Sequence, residues 1–290
     1  MEPGSESGSS QRKRFENKVV LIAGSSSGIG RVAAKRFALE GARVAVVGSA
    51  SLEKAAAVVA EIEQAGGEAG AFVADLRDVD AIQRLVNDVV ARFAGVDVLV
   101  NSAGAHFATY IGDTTEEQFD ILSDINLKGA YFLMNAVAPV MKRRQAGKIV
   151  NVSAEIAHKP MSGMAIYCAT KAALETLTAT MAWELGPYGI NCNAVAPGNT
   201  ITPEHMDMMG RDEFSDVIEY FQQSTPSPRK VSMADDIANL ILFLASEEAN
   251  SVYGETLIAD EGISRASNGF LPSGVALFAD FNGKRRTRED

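Results

Sequence analysis

Seven short apolar runs recur along the chain, each separated from the next by a stretch of helical character. The runs are KVVLIAG (18–24), ARVAVVG (42–48), AGAFVAD (69–75), DVLVNSAG (97–104), GKIVNVS (147–153), INCNAVAPG (190–198) and GETLIAD (254–260). They are too short for buried helices and rich in Val, Ile and Ala, so they read as strands. Runs that stay apolar without alternating must be buried on both faces. Helical stretches between them end near Leu39 and occupy 52–67, 78–93, 115–143, 164–186 and 234–245. Strands alternating with amphipathic helices imply parallel βαβ units with right-handed crossovers. The predicted fold is therefore α/β, a single-domain Rossmann-like doubly wound parallel sheet of about seven strands with helices on both faces. The domain is placed at 15–268, after a disordered tail over 1–14 and before a C-terminal extension over 269–290. No internal linker is visible.

Composition narrows the partners. A formal net charge of −10 leaves no basic face of the kind that nucleic acid or anionic lipid requires. No apolar run approaches the roughly 20 residues of a membrane helix. The opening MEPGSESGSSQRKRF lacks the apolar core of a signal peptide. Two cysteines, Cys168 and Cys192, make no disulfide framework, which suits a reducing, cytoplasmic setting. His106, His158 and His205 are scattered, so no metal site is expected. What remains is a small-molecule partner.

The first strand runs into Gly24-Ser-Ser-Ser-Gly28-Ile29-Gly30, and a helix opens at once. Glycines let a backbone turn tightly and approach a ligand. A helix N-terminus offers free N–H groups and a positive dipole end, which suit a pyrophosphate. Ser25, Ser26 and Ser27 add hydroxyls. The plainer reading is a strand-to-helix turn.

Three further motifs follow in order: Asn101-Ser-Ala-Gly104 after the fourth strand, Tyr167-x-x-x-Lys171, and Pro197-Gly198 after the sixth. With Gly-x-x-x-Gly-x-Gly they make the chain resemble the short-chain dehydrogenase/reductase family over about 15–265, nearest to 3-oxoacyl-carrier-protein-reductase-like members. The resemblance implies an NAD(P)-dependent oxidoreductase that moves a hydride between a nicotinamide cofactor and a carbonyl or secondary alcohol. It implies cofactor contacts from Gly24, Ser26, Ser27, Gly28, Ile29 and Gly30, then Gly48, Ser49, Ala50 and Ser51. Further contacts would come from Asp75, Leu76, Asn101, Ala103 and Gly104, and from Tyr167, Lys171, Pro197, Gly198, Thr200 and Thr202. Asp75 would accept from the adenine amino group, or else cap the helix beginning near Asp78. Gly48 stands where an acid would select NAD(H), which favours NADP(H). Ser49 and Ser51 could bond its 2′-phosphate or simply form a turn. The resemblance also implies a homotetramer or dimer built on the helices 115–143 and 164–186. The tail after Gly269 is longer than is usual for the family, and its apolar stretch 270–278 is expected to pack across a subunit contact.

Tyr167 and Lys171 stand four residues apart and share a helix face. A nearby ammonium is expected to lower the tyrosine pKa toward the working range of a general acid–base. Relatives add an asparagine that holds a water beside the lysine, and Asn126 fits it. They also add a serine thirteen residues before the tyrosine; here that position is Ala154. Ser153 is one residue away, and adjacent strand side chains point to opposite sides. Three explanations stay open: an inactivated variant of an ordinary reductase, a site in which Tyr167 works alone or with Ser153, water or a substrate group, or a protein without redox activity. The alternatives to a ketoreductase are a non-catalytic dinucleotide-binding regulator and a non-redox relative such as a dehydratase.

Substrate contacts are expected from loops at the strand C-termini. These are His106, Phe107 and Tyr110, Glu155 to Met161, and Thr200 to Phe221 with Met206, Met208 and Met209. His158 and Lys159 could attract an anion or belong to a solvated loop. The 203–222 segment is expected to act as a mobile lid.

Overall fold

A computed structural model of the chain describes residues 13–206 and 225–265, with the side chains of residues 205 and 206 left aside. The apolar runs become β1 (Val19–Ala23), β2 (Arg43–Gly48), β3 (Glu68–Val73), β4 (Val98–Asn101), β5 (Gly147–Val152), β6 (Ile190–Pro197) and β9 (Thr256–Ala259). They form one parallel sheet in the order β3-β2-β1-β4-β5-β6-β9. The helices between are α1 (Gly28–Leu39), α2 (Leu52–Gln64), α3 (Val79–Phe93), α4 (Glu116–Ser123), α5 (Ala130–Arg144), α6 (Ala165–Leu185), α7 (Pro203–Met206) and α8 (Ala234–Ala245).

Strand alternation divides the core in two. Val19, Leu21 and Ala23 join a cluster with Phe93, Leu133 and Met141. Val20 and Ile22 join the opposite one with Phe37, Ile237 and Leu242. Every residue of β1 is thus buried, as a doubly covered strand requires. The order reverses between β1 and β4, and the loops leaving these two strands open a crevice at their C-terminal ends, where such sheets bind ligands.

Three boundaries differ from the sequence reading. Lys13 and Arg14 fall within the described residues, and the Arg14 guanidinium hydrogen-bonds the Glu40 carboxylate. Phe15, where the sequence reading starts the domain, is buried edge-on against Phe37, with ring centroids 4.7 Å apart. The helix read over 115–143 is interrupted by a π-helical turn over Asp124–Gly129, which hands α4 on to α5. A two-stranded parallel ribbon, β7 (Thr200–Ile201) with β8 (Ser232–Met233), had no signal in the hydrophobic pattern because each strand is two residues long. The extension over 269–290, residues 1–12 of the tail, and the lid beyond Met206 with Met208, Met209 and Phe221 lie outside the described residues.

Candidate active site

The glycine loop is shaped by close backbone approach. Gly24 has φ +76°, and a Cβ there would lie 2.6 Å from the Ala103 Cα, so only glycine lets the β1 and β4 loops meet. Ser27 is the N-cap of α1 in extended conformation, yet its side chain makes no capping bond. Ser26 is half-buried beside it, with Ile29 and Gly30 in the first turn. Ser25 departs from the expectation of a ligand donor. Its buried Oγ donates to the Ile22 carbonyl at 2.6 Å and accepts from Val47 N at 2.8 Å, tying β1 to β2. The Gly28 N–H donates to a carboxylate, Oε2 of Glu204, at 3.1 Å. A glycine cradle and a helix end that already accepts an anion fit the pyrophosphate of a dinucleotide.

At the end of β2, a Cβ on Gly48 would stand 2.8 Å from the Ser51 carbonyl oxygen, so a side chain at position 48 needs the loop to move. Ser51 caps α2, its Oγ accepting from Lys54 N at 3.3 Å, while Ser49 and Ala50 are exposed. Asp75 does not cap α3; Asp78 does, accepting from Asp80 N at 2.9 Å. Asp75 instead takes the Arg77 guanidinium at 2.7 Å, which holds its carboxyl below the usual range, and Leu76 is buried beside it.

Behind β4, Asn101 Nδ2 donates to Asn151 Oδ1 at 2.6 Å, and Asn151 donates to Thr178 Oγ1 at 2.8 Å, so these asparagines bind β4 to β5 and β5 to α6. The π turn brings Asn126 inward. Its Oδ1 accepts from Ala105 N and its Nδ2 donates to Ala105 O, both at 2.8 Å. A Cβ on Gly104 would lie 3.2 Å from Asn126 Oδ1 and 3.5 Å from Lys171 Nζ, so Gly104, Asn126 and Lys171 converge.

Tyr167 and Lys171 do share a face of α6. Lys171 Nζ lies 5.7 Å from the centre of the tyrosine ring and donates to the Val152 carbonyl at 2.8 Å. The direction expected for the tyrosine is overturned. Burial pushes the Tyr167 phenol up to about 12, with the charge of Glu155 adding to it. Burial also pushes the Lys171 ammonium down to about 8. Desolvation of the phenolate, on a largely covered side chain, is the leading cause of the upward direction at Tyr167. Ala154 joins an apolar cluster with Ile156 and Cys168, against which Met164 and Tyr167 pack.

Ser153 is not brought to Tyr167. Its Oγ contacts Glu175 Oε1 at 2.7 Å and the Lys171 carbonyl at 3.2 Å. The other oxygen of Glu175 lies 3.0 Å from His158 Nε2. Lys159 Nζ donates to the Ile263 carbonyl at 3.1 Å. His158 and Lys159, read as an anion lure or a solvated loop, instead pin the loop after β5 to its neighbours.

On the substrate side, the His106 ring lies 5.8 Å from that of Tyr167, with Phe107 half-buried next along the chain. Tyr110 leans over Gly163, and with Met161 and Ile111 it is exposed at the rim. Pro197 ends β6, and Gly198 N donates to the Ala259 carbonyl at 2.8 Å. Thr200 Oγ1 donates to the Gly198 carbonyl at 2.9 Å, and the Thr202 methyl faces Gly28. Glu155 was read only as one of the substrate-loop residues, without an acid–base property. Burial, reinforced by the Asp260 carboxylate, pushes its carboxyl up to about 7. The available signal was an acid set directly after an apolar strand, beside position 154. No cluster of three or more metal-ligating side chains occurs among the described residues, and none of their helices is long and apolar enough to cross a membrane.

Comparison with known proteins agrees with this geometry. Residues 23–264 match the family described as enoyl-(acyl carrier protein) reductase. The chain is 38% identical over 247 residues to the 3-oxoacyl-acyl-carrier-protein reductase FabG of Staphylococcus aureus, covering 85% of this chain and 98% of that one. Among solved structures it is similar to a gluconate 5-dehydrogenase of Burkholderia cenocepacia in complex with NADP and tartrate, with a TM-score of 0.81 and 30% identity over 88% of this chain and 98% of that one. It is also similar to a 7α-hydroxysteroid dehydrogenase complexed with NADH and 7-oxo glycochenodeoxycholic acid, with a TM-score of 0.79 and 30% identity over 87% and 96% of the two chains.

Proposed function

The chain belongs to the short-chain dehydrogenase/reductase family, and on that premise we propose that it is a ketone reductase using NADP(H) in preference to NAD(H). The observation that carries the direction is the buried Tyr167 phenol, pushed up to about 12. Such a group is protonated at neutral pH. It can give its proton to a carbonyl oxygen becoming an alkoxide, but it is a poor base for the reverse reaction. When bound, the nicotinamide cofactor supplies the hydride. Gly24, Ser26, Ser27, Gly28, Ile29 and Gly30 would hold its pyrophosphate side. Gly48 to Ser51, Asp75, Leu76, Asn101, Ala103 and Gly104 would hold the adenosine, and Pro197, Gly198, Thr200 and Thr202 the nicotinamide end. Lys171 places its positive charge behind the phenol and steadies the phenolate left after proton transfer. Asn126 fixes the Ala105 backbone beside that lysine. The NADP(H) preference is supported by the end of β2, where no carboxylate stands to repel a 2′-phosphate.

Ala154 leaves the carbonyl oxygen with one fewer hydrogen-bond donor. Losing such a donor typically costs about 100- to 1,000-fold in turnover. The test is NADPH consumption across a panel of ketones and β-ketoesters, with this chain beside Ala154→Ser and with NADPH affinity measured for both. The expected result is slow turnover by this chain and a rise of roughly 100- to 1,000-fold in the serine form. Tight NADPH binding without turnover by either form on any ketone would favour a dinucleotide-binding regulator, the reading that Ala154 itself supports. The chain is further read as a homo-oligomer, supported by Trp183 on α6 (87% exposed) and Tyr131 on α5 (40% exposed).

A further inference from the structure

The N-terminus of α1 is capped by a residue remote in sequence. Glu204, 176 residues beyond Gly28, brings Oε2 to 3.1 Å from the Gly28 N–H. Its Oε1 lies 3.7 Å from Arg31 Nη1. Burial alone would raise the Glu204 carboxyl. Hydrogen bonds from its own backbone, the Thr202 side chain and Gly28 N–H, with the charge of Arg31, hold it below the usual carboxylate range. Glu204 is therefore an anion at neutral pH. The local cap, Ser27, makes no side-chain bond, so Glu204 supplies what the local sequence leaves out.

The same N–H group is the one offered to a pyrophosphate under the cofactor reading above, on which this inference rests. A helix N-terminus favours one anion. It cannot hold a carboxylate and a pyrophosphate at contact distance without repulsion between them. We propose that Glu204 is a built-in competitor for the dinucleotide pyrophosphate, so that cofactor enters by displacing it from Gly28. Glu204 then sets cofactor affinity without touching the reacting atoms. Its displacement also couples cofactor entry to the 200–206 segment. That segment begins at the β7–β8 ribbon and carries Thr202 over the glycine loop.

The test is calorimetric affinity for NADPH and for 2′-AMP, which has the adenine, ribose and 2′-phosphate but no pyrophosphate. Both ligands are titrated into the full chain, Glu204→Gln and Glu204→Ala, with the melting temperature of each ligand-free protein. The expected result is NADPH binding roughly three- to thirtyfold tighter in both variants. Affinity for 2′-AMP should stay within about twofold, and the free variants should melt lower because α1 has lost its cap. Tighter binding in a less stable protein is the signature of a displaced competitor. NADPH affinity that is unchanged or weaker in Glu204→Ala overturns the proposal and leaves the cofactor reading intact. Failure of all three proteins to bind NADPH overturns both.

Discussion

The two ends of the crevice are built on different principles. The glycine-loop end is made of backbone: Gly24 against Ala103, Ser25 between two strands, and the Gly28 N–H at the start of α1. The proton-transfer end is made of side chains whose behaviour depends on burial: Tyr167, Lys171, Glu155 and the methyl of Ala154. Backbone geometry follows from residue type, because only glycine tolerates certain contacts. Acid–base behaviour follows from surroundings, because desolvation can reverse what a neighbouring charge suggests. A chain can therefore keep the first kind of site unchanged while the second drifts.

Replacing the phenol tests this division most severely. Tyr167→Phe should lower ketone turnover by about 100- to 10,000-fold, the range for a general acid. It should leave NADPH affinity within about twofold, and a comparable loss of cofactor binding would mean that the two ends are not separable. A smaller effect is expected at Glu155. Its carboxyl is raised from 4.5 to about 7 in the folded protein, so the native state holds a proton that the unfolded state has released. Stability contributed by that group is complete below about pH 4.5 and declines as pH rises to about 7. Glu155→Gln should remove that decline, seen as a flatter curve of melting temperature against pH. It should also lift turnover most at the alkaline side, where ionised Glu155 opposes the phenolate. An unchanged pH profile would place the Glu155 carboxyl outside the influence of Tyr167. The mildest change is Ser153→Ala. Losing its bond to Glu175 should cost about 1 kcal/mol of stability with turnover unchanged. A large loss of turnover would return Ser153 to the chemistry.

The sheet was legible because a strand covered on both faces needs a largely apolar run, and β1 and β2 are the clearest such runs. The opposite facing of residues 153 and 154 was legible for the related reason that strand side chains alternate. The upward direction of the Tyr167 shift was not legible, since sequence spacing shows that Lys171 is near but not how far the phenol is desolvated. Glu204 was hidden for another reason. Its partner lies at the far end of the chain, and nothing in PEHM distinguishes a capping glutamate from a solvated one. The π turn left no trace because its residues, DINLKG, also suit an ordinary helix.

That turn has a consequence for insertions and deletions. In an α-helix each residue advances the chain by about 100°. A π turn carries a surplus residue, and Leu122 before it and Leu133 after it are both buried. Removing one residue between 124 and 129 would restore a regular helix and undo the turn that brings Asn126 inward. The clasp of Asn126 on Ala105 would then be lost. The length of this segment is accordingly as tightly specified as its composition, although its middle looks like ordinary helix.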